Sequence, residues 1–549
     1  MEGATDIDSP ARPRRVPVAA LLASGTITSR FLGVGRVALT AFAIGNVSSP
    51  GADAYQTAVI LPNTIYALVG GGLLTAVLVP HLVRASEGPD GGQAYANKIV
   101  SLAAVAFVVI AAAATLAAPA LVRLYGVPAP DAGLATALAL WSLPQLLFLG
   151  LYAVLGEVLT ARRVFGPTTW APVVNNLIAI ASLGAFIAVF GASPHRSASS
   201  WTSGMVALLA GGATLGIVAQ AAVMVVAWRR AGLRFSPDLR LRGAGLGGAG
   251  AAAFWSLGML ASLQLATWVE TIIANSASGH GAATSALGTA WLILMLPQSV
   301  VTISLLTASY PAMSRLAAQG DLAGFRRAVQ GPLRAVTGLL VLASAAMVAG
   351  AAPLGRLFTH NAADAGSLAA VIVAYAVGLV PMGAGTVLQR AFYALGDTRT
   401  PFFVTVGQMI VIIPGTLACA VLPQDWRAAG IAGVVSAGTV LQLVAVAVLL
   451  RRRIGALFAP LGSMVRFLIA GGAALAADLC LAALLGAFTP GGFALTGPLP
   501  ALATLFCLGV TGAATYGGSL AALRGGELRL LATAVTERPR SVEEDGSAA

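Results

Sequence analysis

The first long apolar segment contains polar and cationic side chains that could bind an anion. Five small, polar or cationic residues fall within a wedge roughly 120° wide if the segment is helical: Thr26, Ser29, Arg30, Gly33 and Arg36. Two arginines in hydrocarbon cost several kcal/mol unless they face water, an acid or an anionic ligand. Because guanidinium binds phosphate through paired hydrogen bonds, the stripe predicts a hydrated cavity for a phosphate-bearing substrate. The alternative is structural, with Arg36 extending to the membrane interface and Arg30 in an ion pair.

Carboxylates within the apolar segments are the second candidates for chemistry. Asp53 opens the second segment, where it could cap the helix N-terminus or pair with Arg36 and hold the cavity closed. Glu270 lies deep in the seventh segment, so it is the candidate to bind a coupling cation or proton, or a cavity arginine. Asp478 in the thirteenth segment has no evident partner. The four histidines lie near segment ends, at spacings that predict no metal site.

Apolar segments make up almost the whole chain and must position these residues. Of 549 residues, 58% are hydrophobic and 9% are charged, whereas soluble domains have about 25% charged residues. Runs near the roughly 20 residues that span a bilayer recur throughout. The sequence therefore predicts an all-α polytopic membrane protein with about 14 transmembrane helices. We place them at residues 17–44, 54–83, 98–122, 132–160, 167–190, 203–228, 250–275, 283–310, 331–352, 365–393, 401–422, 428–450, 464–488 and 499–523.

The basic residues predict the orientation of these helices. The net charge of +12 comes from small basic groups between apolar runs, which is typical of membrane loops and argues against a nucleic-acid partner. With a cytoplasmic N-terminus, cytoplasmic segments contain 26 Arg and Lys residues and outer loops contain 4. This excess predicts a multi-pass plasma-membrane protein whose two termini are cytoplasmic.

A weak internal repeat predicts how the helices are grouped. Arg precedes Pro167 and Pro401 at two helix starts that are 234 residues apart, and repeated halves with a substrate site between them are common in transporters. Proline is also favoured at the first turn of any helix, so coincidence remains the alternative. The predicted divisions are an N-terminal tail 1–16, an N-terminal lobe 17–242, a C-terminal lobe 243–453, two further helices 454–525, and a cytoplasmic tail 526–549 whose end is disordered.

The source of energy is constrained by what the sequence lacks. It contains no nucleotide-binding loop of the form GxxxxGK[ST]. We therefore predict that ATP bound by this chain is not the energy source. No enzyme activity and no cofactor are predicted, and the membrane potential or a coupling cation is the candidate energy source.

Short motifs in the first 401 residues resemble those of the MurJ (MviN) lipid II flippase family. Ser29-Arg-Phe-Leu-Gly33 followed by Arg36 is similar to its SRxLGxxR start, and Asp53-Ala-Tyr followed by Leu61-Pro-Asn63 is similar to DAFxxAxxLPN. Further similarities, in order, are Leu78-Val-Pro80, Phe165-Gly-Pro-Thr-Thr-Trp-Ala-Pro-Val-Val-Asn-Asn176, which has the actinobacterial form, and Ala391-Phe-Tyr-Ala-Leu-Gly-Asp-Thr-Arg-Thr-Pro401.

The resemblance implies a fold of the multidrug/oligosaccharidyl-lipid/polysaccharide exporter type, with two six-helix lobes around a central cavity and two extra C-terminal helices. It implies alternating access, with undecaprenyl-pyrophosphate carrying a disaccharide-pentapeptide as substrate. Membrane lipids and cell-wall synthesis proteins are the implied partners. By the motif match, Ser29, Arg30, Arg36 and Asp53 are substrate-binding candidates, and Glu270 is an ion or gating candidate.

Two departures from the family pattern leave alternatives open. Many members have Arg near the positions of Tyr66 and Leu292, so the cavity of this chain is expected to be less cationic. One alternative is an exporter of another lipid-linked glycan or of a drug on the same fold. Another is a non-transporting paralogue that scaffolds cell-wall synthesis.

Overall fold

The computed structural model describes residues 18–74, 92–240, 251–455, 461–523, 526–528 and 531. In these residues, thirteen helices are long and apolar enough to cross a membrane. They correspond to thirteen of the fourteen predicted spans. The remaining span is the second, an α-helix, Pro50–Tyr66, that continues as the π-helix Ala67–Leu74. Its predicted end at 75–83 lies outside the described residues. The helices are α1 Val18–Ile44, α2 Pro50–Tyr66, α3 Gln93–Leu116, α4 Ala132–Ala161, α5 Gly166–Phe190, α6 Ser203–Arg230, α7 Ala251–Asn275, α8 Thr284–Ala318, α9 Leu322–Ala349, α10 Ala362–Ala394, α11 Arg399–Ala418, α12 Gln424–Ile454, α13 Leu461–Leu484 and α14 Pro498–Ala522.

The all-α fold follows from the apolar composition. A helix satisfies its own backbone hydrogen bonds, which lipid cannot do. The described residues include no β-strand. Helix α9 begins nine residues before its predicted start because Asp321 caps it, its carboxylate accepting a hydrogen bond from the Gly324 amide at 2.8 Å.

Proline marks the places where the helices are irregular. In α2, Pro62 is followed within a few residues by the π-helix. In α8, Pro297 is followed directly by the π-helix Gln298–Ile303. Proline removes a backbone donor and crowds the preceding turn, and π-helical turns are frequent at functional sites. Both irregular helices border the space between the two lobes.

The helices form two lobes and an appended pair, as predicted. In the first lobe, α5 packs against α1 and α6, and α4 packs against α2, α3 and α6. In the second, α10 packs against α8, α9 and α12, and α11 packs against α7 and α12. The lobes meet where α1 and α2 contact α7 and α8. The pair α13 and α14 packs on itself and on α9.

The two ends of the bundle differ in charge. We call the end where α1 finishes and α2 begins the arginine-poor end; it contains Arg123, Arg196, Arg356 and Arg427. We call the opposite end, where α4 leads into α5 and α10 into α11, the arginine-rich end. The predicted tail 526–549 follows α14 at this end, and only residues 526–528 and 531 of it are described.

Candidate functional site

The polar stripe of α1 lines a cavity between the lobes. The cavity has a volume of about 440 Å³. Its α1 lining is Thr26, Ser29, Arg30 and Gly33; α5 contributes Thr168, Thr169 and Pro172, and α8 contributes Leu292 and Leu296. The Arg30 guanidinium forms no hydrogen bond or ion pair with any described residue. A partly exposed cation without a protein partner, facing hydroxyl groups, can bind an anion.

Helix α5 holds the stripe in position. The Asn176 amide donates a hydrogen bond to the backbone carbonyl of Ser29 at 2.9 Å and lies 3.4 Å from the Ser29 hydroxyl. Close packing accompanies this bond, since a methyl group added at Gly25 would come within 2.6 Å of the Thr169 side chain. Ser29 is therefore both a lining residue and an attachment point for α5.

Arg36 is separated from Arg30 in this structure. The six residues between them correspond to about 9 Å along the helix and about 120° around it. Arg36 does not line the cavity that contains Arg30. Neither proposed pairing, with Asp53 or with Glu270, is present among the described ion pairs.

Asp53 links the two lobes at the arginine-poor end. Its carboxylate is 2% exposed and accepts hydrogen bonds from the Ser278 hydroxyl at 2.8 Å and the Ser285 amide at 2.9 Å. Ser49, rather than Asp53, caps α2 by accepting a hydrogen bond from the Ala52 amide. We call Asp53, Ser278 and Ser285 the latch, because they join the first lobe to the turn between α7 and α8.

A network around Asn275 reinforces the latch. The Asn275 amide donates to the Tyr125 carbonyl at 2.8 Å and to the Thr57 hydroxyl at 3.2 Å. Its oxygen accepts a hydrogen bond from the Thr284 hydroxyl at 2.6 Å. Asn275 is 1% exposed, so this polar side chain is satisfied almost entirely by contacts that include the opposite lobe. Sequence reasoning missed Asn275, although the small polar run that follows it at the end of an apolar helix is a usable signal.

Further bonds close the same end. The Ser48 amide donates to the Gly281 carbonyl at 2.9 Å, and the Asn46 side chain donates to the Thr289 hydroxyl at 2.7 Å. Gly279, in the turn that forms the latch, has φ of +80°, a conformation that favours glycine. The lobes are therefore joined at the arginine-poor end.

Two histidines lie at the rim of this end. His195 of the first lobe lies 3.8 Å from the Asp364 carboxylate of the second lobe. His360 stacks on Phe42 with ring centroids 5.6 Å apart. Burial lowers the pKa of His360, which favours its neutral, stacking form. The described residues contain no group of three His, Cys, Asp or Glu side chains that could hold a metal ion.

Glu270 faces a second cavity, which lies mainly within the second lobe. This cavity also measures about 440 Å³. Its polar lining includes Gln56, Tyr375, Gln408, Thr439 and Gln442 together with Glu270. Glu270 forms no hydrogen bond or ion pair with a described residue. Since Gln56 belongs to α2, this cavity extends to the boundary between the lobes.

The two departures from the family pattern have different surroundings. Leu292 presents hydrocarbon directly to the Arg30 cavity. Tyr66 packs beside Phe107, with ring centroids 6.3 Å apart, and does not line that cavity. The loss of an arginine at the Leu292 position therefore makes this cavity less cationic, and Arg30 is the one cationic residue in its described lining.

Comparison with known proteins agrees with the fold and the motifs. The family model described as "Lipid II flippase MurJ" matches residues 44–496. A "Probable lipid II flippase MurJ" of Rhizobium tropici is 26% identical over 419 residues, covering 72% of this chain and 74% of that protein. A "Lipid II flippase MurJ" of Burkholderia cenocepacia is 28% identical over 409 residues, covering 72% and 76%.

Solved structures extend the similarity to the fold. A structure described as "Lipid II flippase MurJ, inward closed conformation" has a TM-score of 0.69 at 16% identity, covering 89% of this chain and 98% of that one. An inward-facing multidrug resistance MATE family transporter of the MOP superfamily has a TM-score of 0.57 at 17% identity, covering 75% and 96%. Because the family model spans most of the chain, the chain belongs to the lipid II flippase MurJ family.

Proposed function

We propose that the chain flips lipid II from the inner to the outer leaflet of the plasma membrane by alternating access. The observation that supports this best is a combination of two features. Arg30, which has no partner among the described residues, lies in a cavity between the lobes, and a hydrogen-bonded seal lies at the opposite end. The substrate is the undecaprenyl-pyrophosphate carrying the disaccharide-pentapeptide, and the protein acts as a transporter rather than an enzyme.

Charge distribution supports the proposed direction. Basic residues predominate at the arginine-rich end, which we therefore assign to the cytoplasm together with both termini. The sealed end then faces outward, so this conformation would receive substrate from the inner leaflet. Reporter fusions at Ser193 and Ala549 should report outside and inside respectively. An external signal at Ala549 would contradict the assignment.

Arg30 would hold the pyrophosphate. A pyrophosphate presents several anionic oxygens that match the planar donor fork of a guanidinium. The hydroxyls of Thr26, Ser29 and Thr169 lie on the same cavity and could share the remaining oxygens. Arg36 lies one to two turns nearer the sealed end, so it would contact the substrate after the lobes move.

The latch would set the balance between the two conformations. A substrate shifts a conformational equilibrium only through a difference in its affinity for the two states. Asp53 and Asn275 stabilise the state that is closed at the arginine-poor end. Lipid II bound at Arg30 would favour the state in which those interlobe bonds are broken.

Glu270 would couple the cycle to an ion or proton. The Glu270 carboxylate has no arginine partner among the described residues and lies among amide and hydroxyl oxygens, which are hard ligands for a small cation. If a cation or proton neutralised Glu270 in only one of the two conformations, the conformational change would be coupled to the membrane potential or to a cation gradient.

The proposed function is tested by transport in liposomes that contain lipid II. Wild-type protein should expose lipid II to a lipid II-binding reagent added to the outside, and Arg30→Ala should reduce the rate at least tenfold, since a charged bidentate contact is lost. Arg123→Ala is the control, because Arg123 is an exposed arginine away from the cavity. Wild-type liposomes that behave like empty ones would favour the scaffold alternative.

A further inference from the structure

The chain beyond α14 returns to the bundle at the arginine-rich end. Glu527 is 2% exposed. Its carboxylate accepts hydrogen bonds from Arg466 of α13 at 2.6 Å and from the Ser463 hydroxyl at 2.9 Å, and it lies 3.7 Å from Arg334 of α9. Leu531, also buried, packs in a cluster with Phe467. Among its described residues, this short segment is held by one carboxylate and one buried apolar side chain.

The carboxylate only partly satisfies the groups that surround it. Arg334 also donates to the Ser463 hydroxyl at 3.1 Å. The Arg334 Nε and the second Glu527 oxygen are buried and have no partner among the described residues. Among the described residues, two guanidinium groups face this one carboxylate, so positive charge is in excess there. A phosphate group has more oxygens to offer these donors than a carboxylate held through a single oxygen.

An apolar cavity begins at the same residues. Its volume is about 260 Å³, and it lies between α9, α10, α12 and α13. Arg334 and Ser463 form one edge, while Leu388, Leu443 and Phe467 are among the apolar side chains that line the remainder. An anion site beside a hydrocarbon-lined cavity matches a molecule with an anionic head and a hydrocarbon chain.

We propose that Arg334, Arg466 and Ser463 form a binding site for the phosphate of an anionic membrane lipid, with its chain in the adjacent cavity. Glu527 occupies the site in the absence of that lipid, and lipid binding displaces the segment that contains Glu527 and Leu531. The site is distinct from the Arg30 cavity, so the inference does not depend on the proposed transport of lipid II.

The test measures retention of phosphatidylglycerol by purified protein, using native mass spectrometry, with phosphatidylcholine of the same chains as the neutral comparison. Wild type should retain phosphatidylglycerol preferentially. Arg334→Gln and Arg466→Gln should each weaken retention about tenfold, and Glu527→Gln should strengthen it about tenfold because the competing anion is lost. Arg327→Gln, an exposed arginine on the same helix, should have no effect.

Limited proteolysis supplies an independent measurement. Cleavage after α14 should be faster in nanodiscs that contain phosphatidylglycerol than in nanodiscs of phosphatidylcholine alone, and Glu527→Gln should remove the difference. Equal retention by wild type, Arg334→Gln and Arg466→Gln would overturn the proposal. Displacement of the segment by inorganic phosphate as effectively as by phosphatidylglycerol would overturn the assignment to a lipid.

Discussion

Asp53 offers the sharpest test of how the lobes are held together. Each of its two hydrogen bonds involves a buried carboxylate, and such bonds contribute about 1.5–3 kcal/mol. Removing the carboxylate also removes the cost of burying it, so we use the lower value, which corresponds to about a tenfold change in the conformational equilibrium per bond. Asp53→Asn keeps one acceptor oxygen, and Asp53→Ala keeps none. Opening of the arginine-poor end should therefore increase about tenfold in the first variant and about a hundredfold in the second.

Accessibility of Gln56 measures this opening. Gln56 lies three residues beyond Asp53 and lines the Glu270 cavity behind the latch. In a protein whose three native cysteines are replaced, Gln56→Cys should react slowly with a membrane-impermeant maleimide added at the arginine-poor side. The rate should rise in the order wild type, Asp53→Asn, Asp53→Ala.

A matched acid separates the latch from a general effect of charge. Asp425 is exposed at the same end and makes no hydrogen bond with a described residue, so Asp425→Asn should leave the labelling rate unchanged. If Asp53→Ala inserts normally but labels at the wild-type rate, the two hydrogen bonds do not control the opening. If Asp425→Asn accelerates labelling as much as Asp53→Asn, the effect is electrostatic rather than a loss of specific bonds.

Three further predictions concern separate parts of the molecule. Arg30→Lys should weaken lipid II binding about tenfold, and Arg30→Ala should weaken it more. Arg36→Ala should slow transport more than it weakens binding to this conformation. Equal binding by wild type and Arg30→Ala would contradict the pyrophosphate contact. Glu270→Gln should reduce the dependence of transport on pH or cations without reducing the amount of protein in the membrane; unchanged dependence would remove Glu270 from coupling. Burial alone would raise the pKa of Asp397, but hydrogen bonds from Thr400 and the contact with Arg453 outweigh it and lower the pKa below 3.8. The stability that Asp397 contributes is therefore fully present above pH 3.8 and is lost as the pH falls through the lower, folded-state pKa. Asp397→Asn should be about 1 kcal/mol less stable at neutral pH. Its thermal-unfolding temperature should also change less than that of wild type as the pH falls below 3.8.

The fold was predictable because it depends on local properties of the sequence. Apolar runs long enough to span a bilayer determine where helices occur. The first-helix stripe was also predictable, since the spacing of Thr26, Ser29 and Arg30 alone places them on one face. The structure places all three on one cavity. Arg36 lies at the edge of the same wedge, and the 120° between it and Arg30 is enough to give the two arginines different surroundings.

The partners of Asp53 and Asn275 could not be predicted, because they are distant in the chain. Ser278 is 225 residues from Asp53, and Thr57 is 218 residues from Asn275. Helical periodicity relates a residue only to its own turn and to the next turns along the helix. Sequence reasoning therefore considered a helix cap and Arg36 as partners for Asp53, whereas the structure assigns Asp53 to the opposite lobe.

Asp478 is an acid buried in the appended helix pair. It is fully buried between α13 and α14, where a methyl group added at Gly512 would collide with its carboxylate. Neither of its oxygens has a hydrogen-bond partner among the described residues. The absence of a side chain at Gly512 explains how Asp478 fits between the helices, but nothing in the described contacts explains why an acid is present there.

Close packing within each lobe, together with the hydrogen bonds that join the lobes at the arginine-poor end, suits a protein that must change conformation. Within a lobe, helices approach closely through glycine: a methyl group added at Gly150 would collide with Phe107, and one at Gly216 with Asn175. Such packing is lost only at a cost of several kcal/mol, so each lobe is expected to move as a unit. Between the lobes, the hydrogen bonds of Asn275 contribute about 0.5–1.5 kcal/mol each, and those of the Asp53 carboxylate contribute about 1.5–3 kcal/mol each. A few bonds of that size can be offset by a ligand that binds the open state more tightly, because a preference of about 5.5 kcal/mol is enough to reverse a two-state equilibrium almost completely. Bound lipid II could therefore open the sealed end without disturbing the packing inside either lobe.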